Sequence, residues 1–171
     1  MKDWIEELGL QHLDHESGLF AVENTSSIQV DSKLGSSAAS NCIYYALTRE
    51  HPQNHLHWLE TDDHHILIAG GPAIYYLFHE DGSVEKKTLG LNLQEGQRPI
   101  VVTPGGCGKA VRLHDSVDFL LVGSVVTPAW TPERVRFGGG PTFIDKYTGK
   151  ADWATSEHLR SLIGPNWKAD S

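Results

Sequence analysis

His55-Leu56-His57-Trp58-Leu59-Glu60-Thr61-Asp62-Asp63-His64-His65-Ile66-Leu67-Ile68-Ala69-Gly70 is the stretch from which the rest of the chain is read. In an extended strand successive side chains point to opposite faces, so the spacing predicts that His55 and His57 project together. Leu56 and Trp58 then face the other way. Continued from Asp63, the same alternation puts His65 and Leu67 on one face and His64 and Ile66 on the other. Imidazoles on one face, with a carboxylate arriving from the next turn, are the raw material of a metal site or an acid–base site.

Outward from this stretch, short apolar runs recur between turn residues. They predict strands over 19–22, 41–47, 55–59, 64–68, 73–78, 84–89, 100–102, 109–112 and 119–126. Gly70-Gly71-Pro72, Asp81-Gly82 and Gly105-Gly106 supply the breaks, and Asp81-Gly82 between apolar runs is a hairpin signal. Many short strands with polar turns predict an all-β sandwich or barrel. A short helix is expected over 3–8, and residues 11–18 read as loop. Beyond Gly138-Gly139-Gly140-Pro141, read as a flexible joint, a helix is expected over 156–163, capped by Thr155 or Ser156 and stopped by Gly164-Pro165. The division is therefore a domain over 1–137 and a C-terminal extension over 138–171, packed on or near the barrel.

The chain has 171 residues, of which 39% are hydrophobic and 21% charged, enough for one domain with a core. A formal net charge of -8 argues against nucleic acid, which wants a basic face. No apolar run approaches the roughly 20 residues of a membrane span. Met1-Lys2-Asp3-Trp4-Ile5-Glu6-Glu7 does not read as a secretory leader, and the expected location is cytoplasmic. Cys42 and Cys107 are expected to be reduced thiols, Cys42 in the core and Cys107 in an exposed turn.

A second constellation, Pro104-x-Gly106-x2-Lys109, stands downstream of the first. Together they resemble the paired motifs of the cupin superfamily, in which three histidines and an acid converge on a metal ion. Lys109 stands where that pattern has its last histidine, and an ammonium offers a metal no lone pair. A closer resemblance, to the DUF985 (cupin-5) proteins often labelled predicted sugar epimerases, rests on many motifs in order. Leu8-Gly9-Leu10, Glu16-Ser17-Gly18-Leu19-Phe20, Ser37-Ala38-Ala39 and Ile43-Tyr44-Tyr45 come first. His57 with Asp62-Asp63, Ala69-Gly70-Gly71-Pro72, Asp81-Gly82-Ser83 and Leu89-Gly90 follow. Pro104-Gly105-Gly106 and the run from Leu121 to Trp130 close the series. The resemblance implies a double-stranded β-helix, or jelly roll, with a pocket inside the barrel, and a homodimer.

Several departures fall where such a pocket lies. Trp-Gln after Pro-x-Gly is Gly108-Lys109 here, the arginine after the histidine is Trp58, and a strand threonine is Asn41. Gly108 in place of a tryptophan is expected to widen the cavity near Lys109. The expected chemistry is acid–base proton transfer on a small molecule without metal or cofactor: isomerisation, epimerisation, or a related elimination or cyclisation. His57 is the base or acid, tuned by Asp63. Lys109 stabilises negative charge or anchors a carboxylate, and His65 or Glu16 is the second proton carrier. Asn41, Tyr45, Phe20, Tyr76, Trp130 and His55 are the expected substrate-binding wall. Two alternatives stay open: a metal enzyme using His55, His57, His65 and Asp63, and a non-catalytic small-molecule-binding cupin.

Overall fold

The computed structural model describes residues 2–169. It begins with α1 (Lys2–Glu7), β1 (Gln11–His12), β2 (Leu19–Thr25), β3 (Gln29–Ser32), β4 (Gly35–Ala38), β5 (Asn41–Thr48) and β6 (Gln53–Leu59). Next come β7 (Asp62–Gly70), β8 (Ala73–Phe78), β9 (Val84–Leu89), β10 (Ile100–Thr103), β11 (Gly108–Leu113), β12 (Phe119–Thr127) and β13 (Val135–Phe137). Two helices, α2 (Pro141–Tyr147) and α3 (Ser156–Ile163), close the chain. One sheet has the order β1-β2-β5-β12-β7-β10 and the other β13-β6-β11-β8-β9, while β3 and β4 form a separate hairpin. Neighbouring strands pair antiparallel, and most are distant in sequence. This is the all-β double-stranded β-helix that the sequence predicts. Among the described residues, no helix is long and apolar enough to cross a membrane.

The two sheets enclose an apolar interior. Tyr45 and Leu47 of β5, Tyr75 of β8, Val111 of β11, and Leu120 and Val122 of β12 form one buried cluster at one end of the barrel. Each is an alternate residue of its strand, as a half-buried pleat requires. Neither cysteine is in a disulfide; Cys42, on the outward parity of β5, is half-buried rather than core, and Cys107 is buried rather than exposed. The hairpin of β3 and β4 was not legible because its residues are polar and largely exposed. Its attachment comes from Arg134, whose guanidinium donates to Ser37 Oγ at 2.9 Å and to the carbonyl of Leu34 at 2.9 Å.

The second sheet is covered on its outer face as well. Leu56, Tyr76, Phe78 and Ala110 pack there against Phe143, Tyr147, Leu159, Leu162 and Ile163 of the extension. Each such aliphatic side chain contributes about 1.5–3 kcal/mol by leaving water. The glycines read as a joint lead directly into α2, because Pro141 fits a first helical turn whose N–H is unpaired anyway. Thr155 caps α3, its hydroxyl accepting from the His158 amide at 3.2 Å. Gly108 does not widen the cavity. It faces outward, and a methyl group there would sit 2.7 Å from Trp58 Nε1, so the Trp58 ring fills the space a side chain would take.

Candidate functional site

At the end of the barrel opposite the apolar cluster lies a cavity of about 190 Å³. Its wall includes Leu13, Phe20, Val22, Ile43, Leu59, Val126 and Trp130; its polar lining is Glu16, Asn41, Tyr45, Asn54, His57, Asp63, His65, Lys109 and Ser124. A larger groove of about 640 Å³ runs over the outer surface between β13 and α2, but none of His57, Asp63, His65 and Lys109 lines it.

Strand register assembles the polar lining. Lys109 of β11 pairs with His57 of β6, and Ser124 of β12 pairs with His65 of β7. Asp63 and His65 are alternate residues of β7 and are both buried, whereas Ile66 is exposed. The Asp63 carboxylate accepts from Ser124 Oγ at 2.8 Å, from Lys109 Nζ, and from His65 Nε2 at 3.1 Å. Burial would push the Asp63 carboxyl up, but His65 and Lys109 outweigh it and hold it well below the usual carboxylate range. Burial holds the Tyr75 phenol well above its ordinary value. It therefore stays protonated and donates to His65 Nδ1 at 2.8 Å, which leaves the His65 proton on Nε2, facing Asp63. Burial lowers the pKa of His65, and the nearby Asp63 charge only partly opposes this.

The second group centres on His57, which is 1% exposed and so cut off from bulk water. Its Nδ1–H donates to the carbonyl of His55 at 2.8 Å, so in the neutral ring Nε2 carries the lone pair. That nitrogen faces Glu16 Oε2 at 3.4 Å. Burial lowers the His57 pKa, with the Glu16 charge pulling the other way. Glu16 reaches the cavity on the loop before β2, where His15 and Ser17 both take positive φ values, 62° and 67°. The loop is tied down by the His55 amide donating to the Glu16 carbonyl at 2.6 Å and by Tyr45 Oη donating to the Ser17 carbonyl at 2.7 Å. Asn54 Nδ2 adds a bond to Glu16 Oε2 at 3.3 Å.

Two expected site residues lie elsewhere. Lys109 pairs with His57 and Val111 with Asn54, so β6 carries one extra residue between them. This bulge breaks the alternation. Asn54 and His57 line the cavity, and His55 turns away, half-buried beside Gln53 and under Gly164 of the extension. Tyr76 is also outside the barrel, its ring against Trp153 and His158. Its neighbour Tyr75 takes the interior position, because both faces of β8 are covered and either parity satisfies the sequence. Glu16, Phe20, Asn41, Tyr45, His57, Asp63, His65, Lys109 and Trp130 all line the cavity. Asn41 also accepts from the Trp130 amide at 2.9 Å.

Asn54 and Ser124 went unread, and of the neighbours Tyr75 and Tyr76 the expectation took the outer one. Alternation through Leu120 and Val122 marks Ser124 in hindsight; no sequence signal marks the bulge that brings in Asn54. The fold family implies a metal at this place, and the donor set does not fit one. His55 points away, an ammonium is bonded to Asp63 and lies 3.3 Å from His65 Nε2, and among the described residues no three His, Cys, Asp or Glu could hold an ion.

Comparison with known proteins agrees with this architecture. An uncharacterized protein of Saccharomyces cerevisiae, YML079W, is 29% identical over 134 residues, 77% of this chain. The chain spans 59% of that relative's length. A hypothetical protein from Leishmania major superposes with a TM-score of 0.79 at 21% identity, over 94% of this chain and 95% of that one. Protein SO0799 from Shewanella oneidensis superposes with a TM-score of 0.75 at 22% identity, over 99% and 98%. The sequence pattern of the cupin superfamily (DUF985) matches residues 2–138, and the chain belongs to that family.

Proposed function

We propose that the barrel cavity is the active site of a small-molecule enzyme that moves protons with its own side chains, as an isomerase, epimerase, or related lyase or cyclase does. The observation that carries this reading is the pairing of His57 with Glu16 on one side and of Asp63 with Lys109 and His65 on the other, around one largely apolar hollow. His57 Nε2, with its lone pair toward the cavity side and Glu16 beside it, takes a proton; Glu16 stabilises the imidazolium that forms. An ammonium has three N–H bonds and Asp63 takes one, so Lys109 retains donors for negative charge developing on the substrate. The imidazolium of His57 then returns its proton to a neighbouring atom of the substrate and becomes neutral again, while His65, both of whose nitrogens are hydrogen-bonded, holds Asp63 in place beside Lys109.

The test works with an unidentified substrate. The protein is incubated with a metabolite extract in heavy water, and mass spectrometry follows deuterium uptake. A compound that gains deuterium with the native protein and not with His57→Gln is the expected result. Uptake unchanged by the substitution, or none for any compound, overturns the reading. A stoichiometric metal in protein purified without an affinity tag would replace it with metal chemistry.

A further inference from the structure

The charges in the cavity do not balance. Asp63 and Lys109 neutralise each other, but Glu16 meets no lysine or arginine among the described residues. Its side chain is 14% exposed, so water screens it poorly. The groups beside it present acceptors. His57 has committed its Nδ1–H to a backbone carbonyl and turns a lone pair toward Glu16. Asn54 has committed its amide nitrogen to Glu16, which fixes the orientation of the amide, and the buried Oδ1 finds no donor among the described residues. Buried acceptors next to an uncompensated carboxylate call for a ligand that brings hydrogen-bond donors and positive charge. Phe20, Val22, Ile43, Val126 and Trp130 give the cavity an apolar side, which suits a hydrocarbon body.

We infer that the cavity takes a small organic amine, bound as its ammonium ion with the charged nitrogen at Glu16, Asn54 and His57 and an apolar body against Phe20 and Trp130. This rests on the proton-transfer reading only in placing ligand and chemistry in one cavity. It departs from the expectation that Lys109 anchors a carboxylate, because Asp63 already neutralises the charge of that ammonium and a second full carboxylate would have none to meet.

Calorimetric titration of the native protein with benzylammonium, benzyl alcohol and benzoate at neutral pH tests it. The ammonium should bind at least about tenfold more tightly than the alcohol, the ratio one charge-assisted hydrogen bond supplies, with benzoate weakest. Glu16→Gln should bring the ammonium and the alcohol to within about threefold, and Asn54→Leu should weaken the ammonium more than the alcohol. Equal affinities, a preference for benzoate, or no binding of any of the three overturns the inference. The native series decides this even if neither variant folds. An ammonium preference without deuterium uptake keeps the ligand class and sinks the proton-transfer reading. Uptake into an acid or neutral compound, without that preference, does the reverse.

Discussion

The two ends of the barrel are built from the same strands and hold opposite contents. On β7, Leu67 packs into the apolar cluster, while Asp63 and His65, on the same face, line the cavity. On β12 the change falls between Val122 and Ser124, and on β11 between Val111 and Lys109. One register thus carries a dry core up to a level marked by Tyr75, whose ring is core and whose hydroxyl serves His65. Above that level, among the described residues, Asp63 and Lys109 are buried beside each other, whereas Glu16 has His57 and Asn54 beside it and no lysine or arginine. The apolar end keeps the barrel folded, so the other end is free to hold a costly polar cluster around a hollow.

That contrast can be broken most severely at Lys109. Replacing it with Met leaves the Asp63 carboxylate buried without its cation and should cost about 3–5 kcal/mol in urea unfolding. The double change to Asp63→Leu with Lys109→Met should recover most of the loss; if it does not, the pair is not what holds this level together. At the other end, Leu120→Ala should cost about 3 kcal/mol through the void it leaves. Ligand affinity in the cavity should stay within about twofold, and a larger change would mean that the two ends are coupled.

Acidification should separate the ends more gently. Below about pH 6.5 the unfolded chain protonates its histidines. Burial keeps protons off His57 and His65 in the fold, so unfolding takes up protons and stability falls as pH falls. Asp63 adds a second loss. Its contribution is present above the ordinary carboxylate value of about 3.9 and disappears as pH falls through the depressed folded value. The urea midpoint should therefore decline on acidification from about pH 7, less so in His65→Asn, and a rising midpoint contradicts the burial of neutral imidazoles. The smallest effect belongs to the boundary itself. Tyr75→Phe should cost about 1 kcal/mol and release His65 from a single tautomer, which nitrogen chemical shifts of the ring would register.

The sequence was most legible where a strand runs without a bulge. Asp63 and His65 could be placed together because they stand two apart on such a run, although the exposed Ile66 and Ile68 are as apolar as Leu67 on the buried face. It was least legible on β6 and β8, where the extension covers the outer face and apolar residues occupy both parities. There Tyr75 and Tyr76 are indistinguishable in one dimension. His55 and Asn54 exchanged places for a different reason: a bulge changes parity without leaving a residue type behind.

By itself the chain determined the jelly roll, through its short alternating strands, its turn residues and the order of its motifs, because pleat and turn chemistry are local. It also determined that an imidazole, a carboxylate and an ammonium would be available on inward-facing strands. Only the tertiary structure decided how they pair. Lys109 meets Asp63, and Glu16 meets His57, because strand register and the loop before β2 set those distances. Such pairings join residues far apart in the chain, and no periodicity within one strand records them.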